Sequence, residues 1–267
     1  MLILILINAF SIFGYAAFVL NPLLLTQFSW TQPIFTVSFS LFAQLQILVG
    51  FLVIAFRCHK VFSRSWYIYL ISAYLISFVM EYIGTTYGVP FGKYSYTSLL
   101  GWKIVGQVPF LIPLSWFFMA FPSYLLAEQI LGDRKWPFAK TFLGSILLIC
   151  WDLTLDPAMS QLTSFWIWEE VAHPLLKIPL KNIFGWFFTG FLILGFFEFK
   201  GLKMPQKWKE DHFPLKFYAA NLMLPVGFAI AAQLWLPLLA TLLVILFCVC
   251  ISIQTGGISQ FWKSKSE

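Results

Sequence analysis

No charged side chain lies between Lys216 and Lys263. A helix made from that stretch has no polar face to turn toward water, so its solvent must be lipid or other protein. About 20 mostly apolar residues carry a helix across the hydrocarbon of a bilayer, and runs of that kind recur along the chain. They fall at 3–25, 33–56, 66–83, 104–131, 138–155, 183–199, 216–233 and 235–255. The sequence therefore predicts an all-α fold: a polytopic integral membrane helical bundle of about eight transmembrane helices, one domain over residues 1–267. The break between the last two runs rests on Gln233, Trp235 and Pro237; without it the count is seven. Composition agrees, since 60% hydrophobic and 10% charged residues, with a mean hydropathy of +0.83, lie outside the range of soluble domains.

Lys and Arg accumulate in cytoplasmic loops, so their placement orients such a bundle. With the amino terminus inside, the inner segments hold thirteen basic residues: Arg57, Lys60, Arg64, Arg134, Lys135, Lys140, Lys200, Lys203, Lys207, Lys209, Lys216, Lys263 and Lys265. The outer loops hold four, Lys93, Lys103, Lys177 and Lys181. Both termini are thus expected on the cytoplasmic side. The net charge of +6 is then mainly a topology signal; spread over separate loops, it forms no stripe for nucleic acid. The amino terminus lacks the basic region of a signal peptide, so the first span is expected to stay attached. The Lys-rich segment 200–216 reads as a membrane-surface anchor with Trp208 at the interface. Cys58, Cys150, Cys248 and Cys250 offer neither a disulfide framework nor zinc spacing.

Position separates the eleven acidic residues. Glu128, Asp133, Glu198, Glu210, Asp211 and Glu267 fall in or near inner loops, where water can solvate them. Glu81 ends the third span, Asp152 lies in the last turns of the fifth, and Asp156 precedes Pro157, all on the outer side. Ionisable groups at membrane depth are costly and point to function, although a structural network or solvation at helix ends would also account for them. In "WDLTLDP" the two aspartates stand four apart, on one helix face, and Pro157 is expected to end the helix there. Two carboxyl groups held close can share a proton, and a protonated carboxyl is what general acid catalysis needs.

Aromatic rings crowd the same side. Tyr82, Tyr87, Phe91, Tyr94, Tyr96 and Trp102 belong to the first outer loop, and Phe165, Trp166, Trp168 and Trp186 surround the second. Singly, such rings mark a membrane interface; together they can line a polyene pocket or face a carbocation. Glu170 and His173 have a spacing used by carboxylate-bridged metals, but no second such motif accompanies them and no metal is expected. No P-loop, dinucleotide glycine pattern or Ser/His/Asp arrangement is apparent.

Three blocks, "EYIGTTYGVPFGKYSYTSLLGWKIVGQVPFLIPLSWFFMAFPSYLLA", "WDLTLDPAMSQLTSFWIWEE" and "IPLKNIFGW", resemble in that order the carotenoid biosynthesis membrane proteins. That family includes the CruF-type carotenoid 1′,2′-hydratases and the archaeal bisanhydrobacterioruberin hydratases. The resemblance covers about residues 66–200. It points to Glu81, Gly84, Gly88, Pro90, Phe91, Gly92, Tyr94 and Tyr96, to Pro109, Pro113 and Trp116, to Asp152, Asp156, Pro157, Trp166 and Trp168, and to Pro179, Asn182, Gly185 and Trp186. "EEVAHPLLK" stands where the family pattern has a Gly and Tyr rich turn.

The resemblance implies addition of water across the terminal C1′=C2′ double bond of an acyclic ψ end group, without a cofactor. On that reading Asp152, Asp156 and Glu81 are the catalytic candidates, while Tyr87, Phe91, Tyr94, Tyr96, Trp166, Trp168, Asn182 and Trp186 bind substrate. It also implies a lipophilic carotenoid substrate, lipid surroundings, association with other enzymes of carotenoid synthesis, and a multi-pass place in a prokaryotic cell membrane. Two other readings stay open. An intramembrane prenyltransferase could hold Mg²⁺ on the DxxxD pair, although no outer Arg is present to grip a diphosphate. A non-catalytic carrier or scaffold would bind polyenes unchanged. A small-solute transporter lacks the paired inverted halves it would need.

Overall fold

The computed structural model describes residues 1–132, 136, 138–161 and 164–257. Asp133, Arg134, Lys135, Lys263, Lys265 and Glu267 lie outside them. Among the described residues seven helices are long and apolar enough to cross a membrane. These are α3 (Thr31–Phe62), α4 (Tyr67–Tyr87), α5 (Leu111–Leu131), α6 (Ala139–Gln161), α7 (Leu180–Phe199), α9 (Phe213–Ala231) and α10 (Trp235–Thr255). Short helices α1 (Leu2–Gly14), α2 (Leu23–Gln27) and α8 (Gln206–Glu210) complete the helical elements, with a π-helical turn, Tyr15–Val19, continuing α1.

Apolar side chains surround α5 and most of α6, and such helices belong inside a bundle. The structure puts them there: α5 packs against α3, α4, α6, α7, α9 and α10, and nearly all of its residues are buried. By contrast α3, α4 and α10 expose rows of large apolar side chains, among them Leu52, Phe56, Leu75, Val79, Leu243 and Phe247. Apolar area on this scale at a helix surface fits contact with lipid chains.

Several boundaries differ from the sequence reading. The expected first span, 3–25, is a short apolar helix followed by the π turn, and Pro22 separates it from α2. Proline interrupts a ladder of helical hydrogen bonds. The fourth span starts at Leu111, not 104, because 103–109 fold back as a hairpin of β2 (Lys103–Ile104) and β3 (Val108–Pro109) around Gly106. The fifth span runs through Pro157 to Gln161. Continuing the helix buries Ala158, Met159 and Ser160, which outweighs the one hydrogen bond that proline removes. Trp208 is no interfacial anchor: it is fully buried against Phe62, Phe121 and Phe213. The last two spans are separate, divided at Ala232–Leu234, where Gln233 has a φ of +58°.

Two three-residue strands complete the fold. β1 (Tyr94–Tyr96) and β4 (Trp166–Trp168) pair antiparallel, with Tyr94 opposite Trp168 and Tyr96 opposite Trp166. They join the two long outer loops of the sequence reading into one cover over the bundle. Gln44 and Ser40 of α3 fasten it by donating to the Leu99 carbonyl, at 3.1 and 2.6 Å.

Candidate active site

Helix α4 carries Glu81 and ends at Gly88, whose φ of +74° suits a residue without a Cβ. The helix runs on past Glu81 to Tyr87, so the carboxylate lies inside the span and not at its end. Beyond the cap, Phe91 is inserted between α4 and α7. A Cβ on Gly185 would stand 2.3 Å from its ring, and one on Gly84 would stand 2.8 Å away. Those two glycines leave the space that Phe91 fills.

From Phe91 the chain enters β1, where side chains alternate between faces. Tyr94 and Tyr96 point inward and are buried; Ser95 points out. In β4, Trp166 and Trp168 face the same way, while Ile167 is 52% exposed. Four rings thus project from a two-stranded cover onto the acidic groups below. Tyr94 and Trp168 have ring centroids 5.0 Å apart, and Tyr96 and Trp166 are 6.0 Å apart.

Glu81 is 4% exposed and accepts three hydrogen bonds. Trp116 of α5 donates to Oε1 at 2.8 Å, Tyr96 donates to Oε2 at 2.8 Å, and Tyr94 donates to the same oxygen. Burial pushes the Tyr94 and Tyr96 hydroxyls well above the usual phenol range, and the Glu81 carboxylate pushes both further, so they remain donors. Asp152 and Asp156 of α6 are 1% and 4% exposed and stand four residues apart on one face of the helix. Asn182, near the start of α7, donates from its one amide nitrogen to both, with Asp152 at 3.1 Å. The second oxygen of Asp152, Oδ1, has no hydrogen-bond partner among the described residues.

These groups meet at a cavity of about 410 Å³, within the range of roughly 300–1,000 Å³ that small-molecule sites occupy. Glu81, Asp156 and Asn182 line it, as do Phe91, Tyr94, Tyr96, Trp166, Trp168 and Trp186. Asp152 stands behind the lining and reaches it through Asn182. Tyr87 stands apart: it is 73% exposed and outside the cavity. Glu170 is bound by Lys181 at 3.0 Å and by the Lys93 backbone N–H at 3.1 Å, while His173 Nδ1 accepts from the backbone at Leu176.

Trp116, to which the resemblance pointed, also lines the cavity and stacks on Trp186 with centroids 4.1 Å apart. Other lining residues were not singled out in the sequence: Trp151 meets Trp186 edge-on at 5.8 Å. Residues of the amino-terminal third, such as Tyr15, Phe35, Phe39 and Gln46, also line the cavity. Only Gln46, an amide inside an apolar span, was marked by its own chemistry; it donates to Asn221 Oδ1 at 3.1 Å.

A family model described as "Carotenoid biosynthesis protein" matches residues 42–248, more than the 66–200 that the motifs cover. A bisanhydrobacterioruberin hydratase from Haloarcula japonica is 30% identical over 131 residues, 49% of this chain and 44% of the relative's length. The chain thus matches less than half of that relative. No solved structure matches.

Proposed function

The chain belongs to the carotenoid biosynthesis protein family, and from that premise we propose that it hydrates the terminal C1′=C2′ double bond of an acyclic carotenoid ψ end group. The observation that carries the proposal is that Glu81 and Asp156, from distant parts of the sequence, line one aromatic cavity. Bisanhydrobacterioruberin hydratase, the name of the 30% identical relative, supports the reaction class.

Asp156, in its protonated form, delivers a proton to C2′ and leaves a tertiary cation at C1′. Of the two aspartates it is the one that lines the cavity, so it is the direct donor, and Asp152, one helical turn away and held by the same Asn182 amide, favours the protonated form by repelling a second negative charge. Trp166, Trp168 and Trp186 turn π faces or edges toward the same space, and an aromatic face attracts a cation. Water attacks C1′ as its own proton passes to Glu81. That proton returns to the aspartate pair before the next turnover. Tyr94, Tyr96 and Trp116 hold Glu81 in place as an acceptor. Apolar walls keep other water away from the cation.

The test is expression in a host that makes lycopene or γ-carotene, followed by mass analysis of the pigments. Hydration adds the mass of one water per end. Retained conversion in Asp152→Asn, Asp156→Asn and Glu81→Gln alike would remove the acid–base assignment. Pigment that co-purifies unchanged with the wild-type chain would favour a carrier.

A further inference from the structure

We propose that the cavity is a slot with one lateral mouth, between α1 with its π turn and α3, through which the polyene tail of the substrate lies out into the lipid. The proposal rests on the hydration reading only for the identity of the ligand. Its ground is a gradient in the lining. At the reacting end Glu81, Asp156 and Asn182 are each no more than 4% exposed. At the α1–α3 side Phe10, Phe13, Trp30 and Ile34 line the same cavity and are 58–71% exposed. Every one of those four is apolar, so this opening faces lipid chains and not bulk water.

A continuous wall joins the two ends. Phe18 and Phe35 have ring centroids 6.0 Å apart, Phe35 and Phe39 are 5.7 Å apart, and Phe39 and Phe165 are 5.2 Å apart. Phe165 adjoins the β1–β4 cover, since its carbonyl accepts from the Thr97 backbone N–H at 3.0 Å. Opposite that wall, Tyr15 is 1% exposed and stacked on Phe228, and its hydroxyl has no partner among the described residues. A buried O–H donor beside an apolar slot finds an acceptor in the π cloud of a conjugated chain. The cavity has the volume of a drug-sized site, too small for a whole carotenoid. One end group can occupy it while the remainder extends through the mouth.

Gly14 makes the slot open to test. It is helical, with φ −60° and ψ −40°, it lines the cavity, and a Cβ there would meet no atom within 4 Å. Gly14→Trp therefore places an indole in the slot with no strain on the backbone. Ser38→Trp adds bulk to the lining from α3. Binding is read in detergent with full-length protein, from the absorption shift of lycopene and from tryptophan quenching by a short ψ-ended isoprenoid. Either plug is expected to weaken lycopene at least tenfold and the short chain less than threefold. Unchanged lycopene binding, or an equal loss for both lengths, overturns the slot.

A third arm needs no variant. A carotenoid-length isoprenoid with a photoreactive group distal to its ψ end should label α1, the π turn or α3 of the wild-type protein, and label on α10 or on β1 and β4 overturns the proposal. Because binding and labelling are read apart from turnover, a chain that binds this way and adds no water would refute the hydration reading and leave the slot standing.

Discussion

Two acidic sites face the cavity and are supported in opposite ways. Glu81 meets three donors, two from β1 and one from α5, whereas Asp152 and Asp156 share a single amide nitrogen and leave one oxygen unpartnered. An ionised carboxylate only accepts hydrogen bonds, while a carboxylic acid must also donate one. The surroundings of Glu81 suit a fixed acceptor, and those of the aspartate pair suit a shared, transferable proton. The lesson is that in a chain this apolar, the number of donors around a buried acid separates its possible roles better than burial does, since all three acids are almost fully buried.

Removing the transferable proton should have the largest effect. Asp156→Asn is expected to slow hydration by about 10²–10⁴-fold, the usual worth of a general acid, measured as hydrated pigment formed per unit of protein. Asp152→Asn should cost less, because Asp152 does not line the cavity; a larger loss there would reverse the assignment within the pair. Breaking the other site should show first in stability. Glu81→Gln presents an amide N–H₂ to donors and strands at least one of them, at a cost of roughly 1–3 kcal/mol, read as a lower Tm. If Asp156→Asn lowers Tm more than Glu81→Gln does, the contrast between the sites fails.

A third change acts on the cover and leaves both acids intact. Gly185→Ala forces Phe91 aside and should cost about 1–3 kcal/mol, as overpacking does, with a parallel loss of hydration because β1 follows Phe91. The smallest effect belongs to the ion pairs outside the cavity. The Lys181 ammonium holds the Glu170 carboxyl below its usual range, so this pair supports the folded state above the unfolded pKa and loses that support as pH falls through the lowered folded value. Tm should therefore dip slightly more for wild type than for Glu170→Gln at acid pH, and added salt should shrink the difference because Lys181 is exposed and Glu170 only partly buried.

Long apolar runs made the helices legible, and acids among rings made the site legible, because each is a property of neighbouring residues. What escaped was set by partners distant in sequence. Strands of three residues carry too little pattern to announce themselves, so the pairing of Tyr94 with Trp168 had no local signature. Pro157 was read as a helix end because its local rule is sound; packing of the residues after it overrode that rule. Trp208 looked like an anchor among lysines until Phe62 and Phe121 enclosed it. Phe35 and Phe39 were indistinguishable from lipid-facing rings, since the choice between lipid and cavity depends on which helix stands alongside.

The pairing of β1 with β4 also sets an order of events during synthesis. β1 leaves the ribosome before α5 and α6, and its partner strand only after both. A nascent chain halted ahead of Trp166 can insert α4 with Glu81 already in the bilayer, yet it lacks the strand against which Tyr94 and Tyr96 are held. Enclosure of the three buried acids therefore comes late in synthesis, after α4, α5 and α6 have been made.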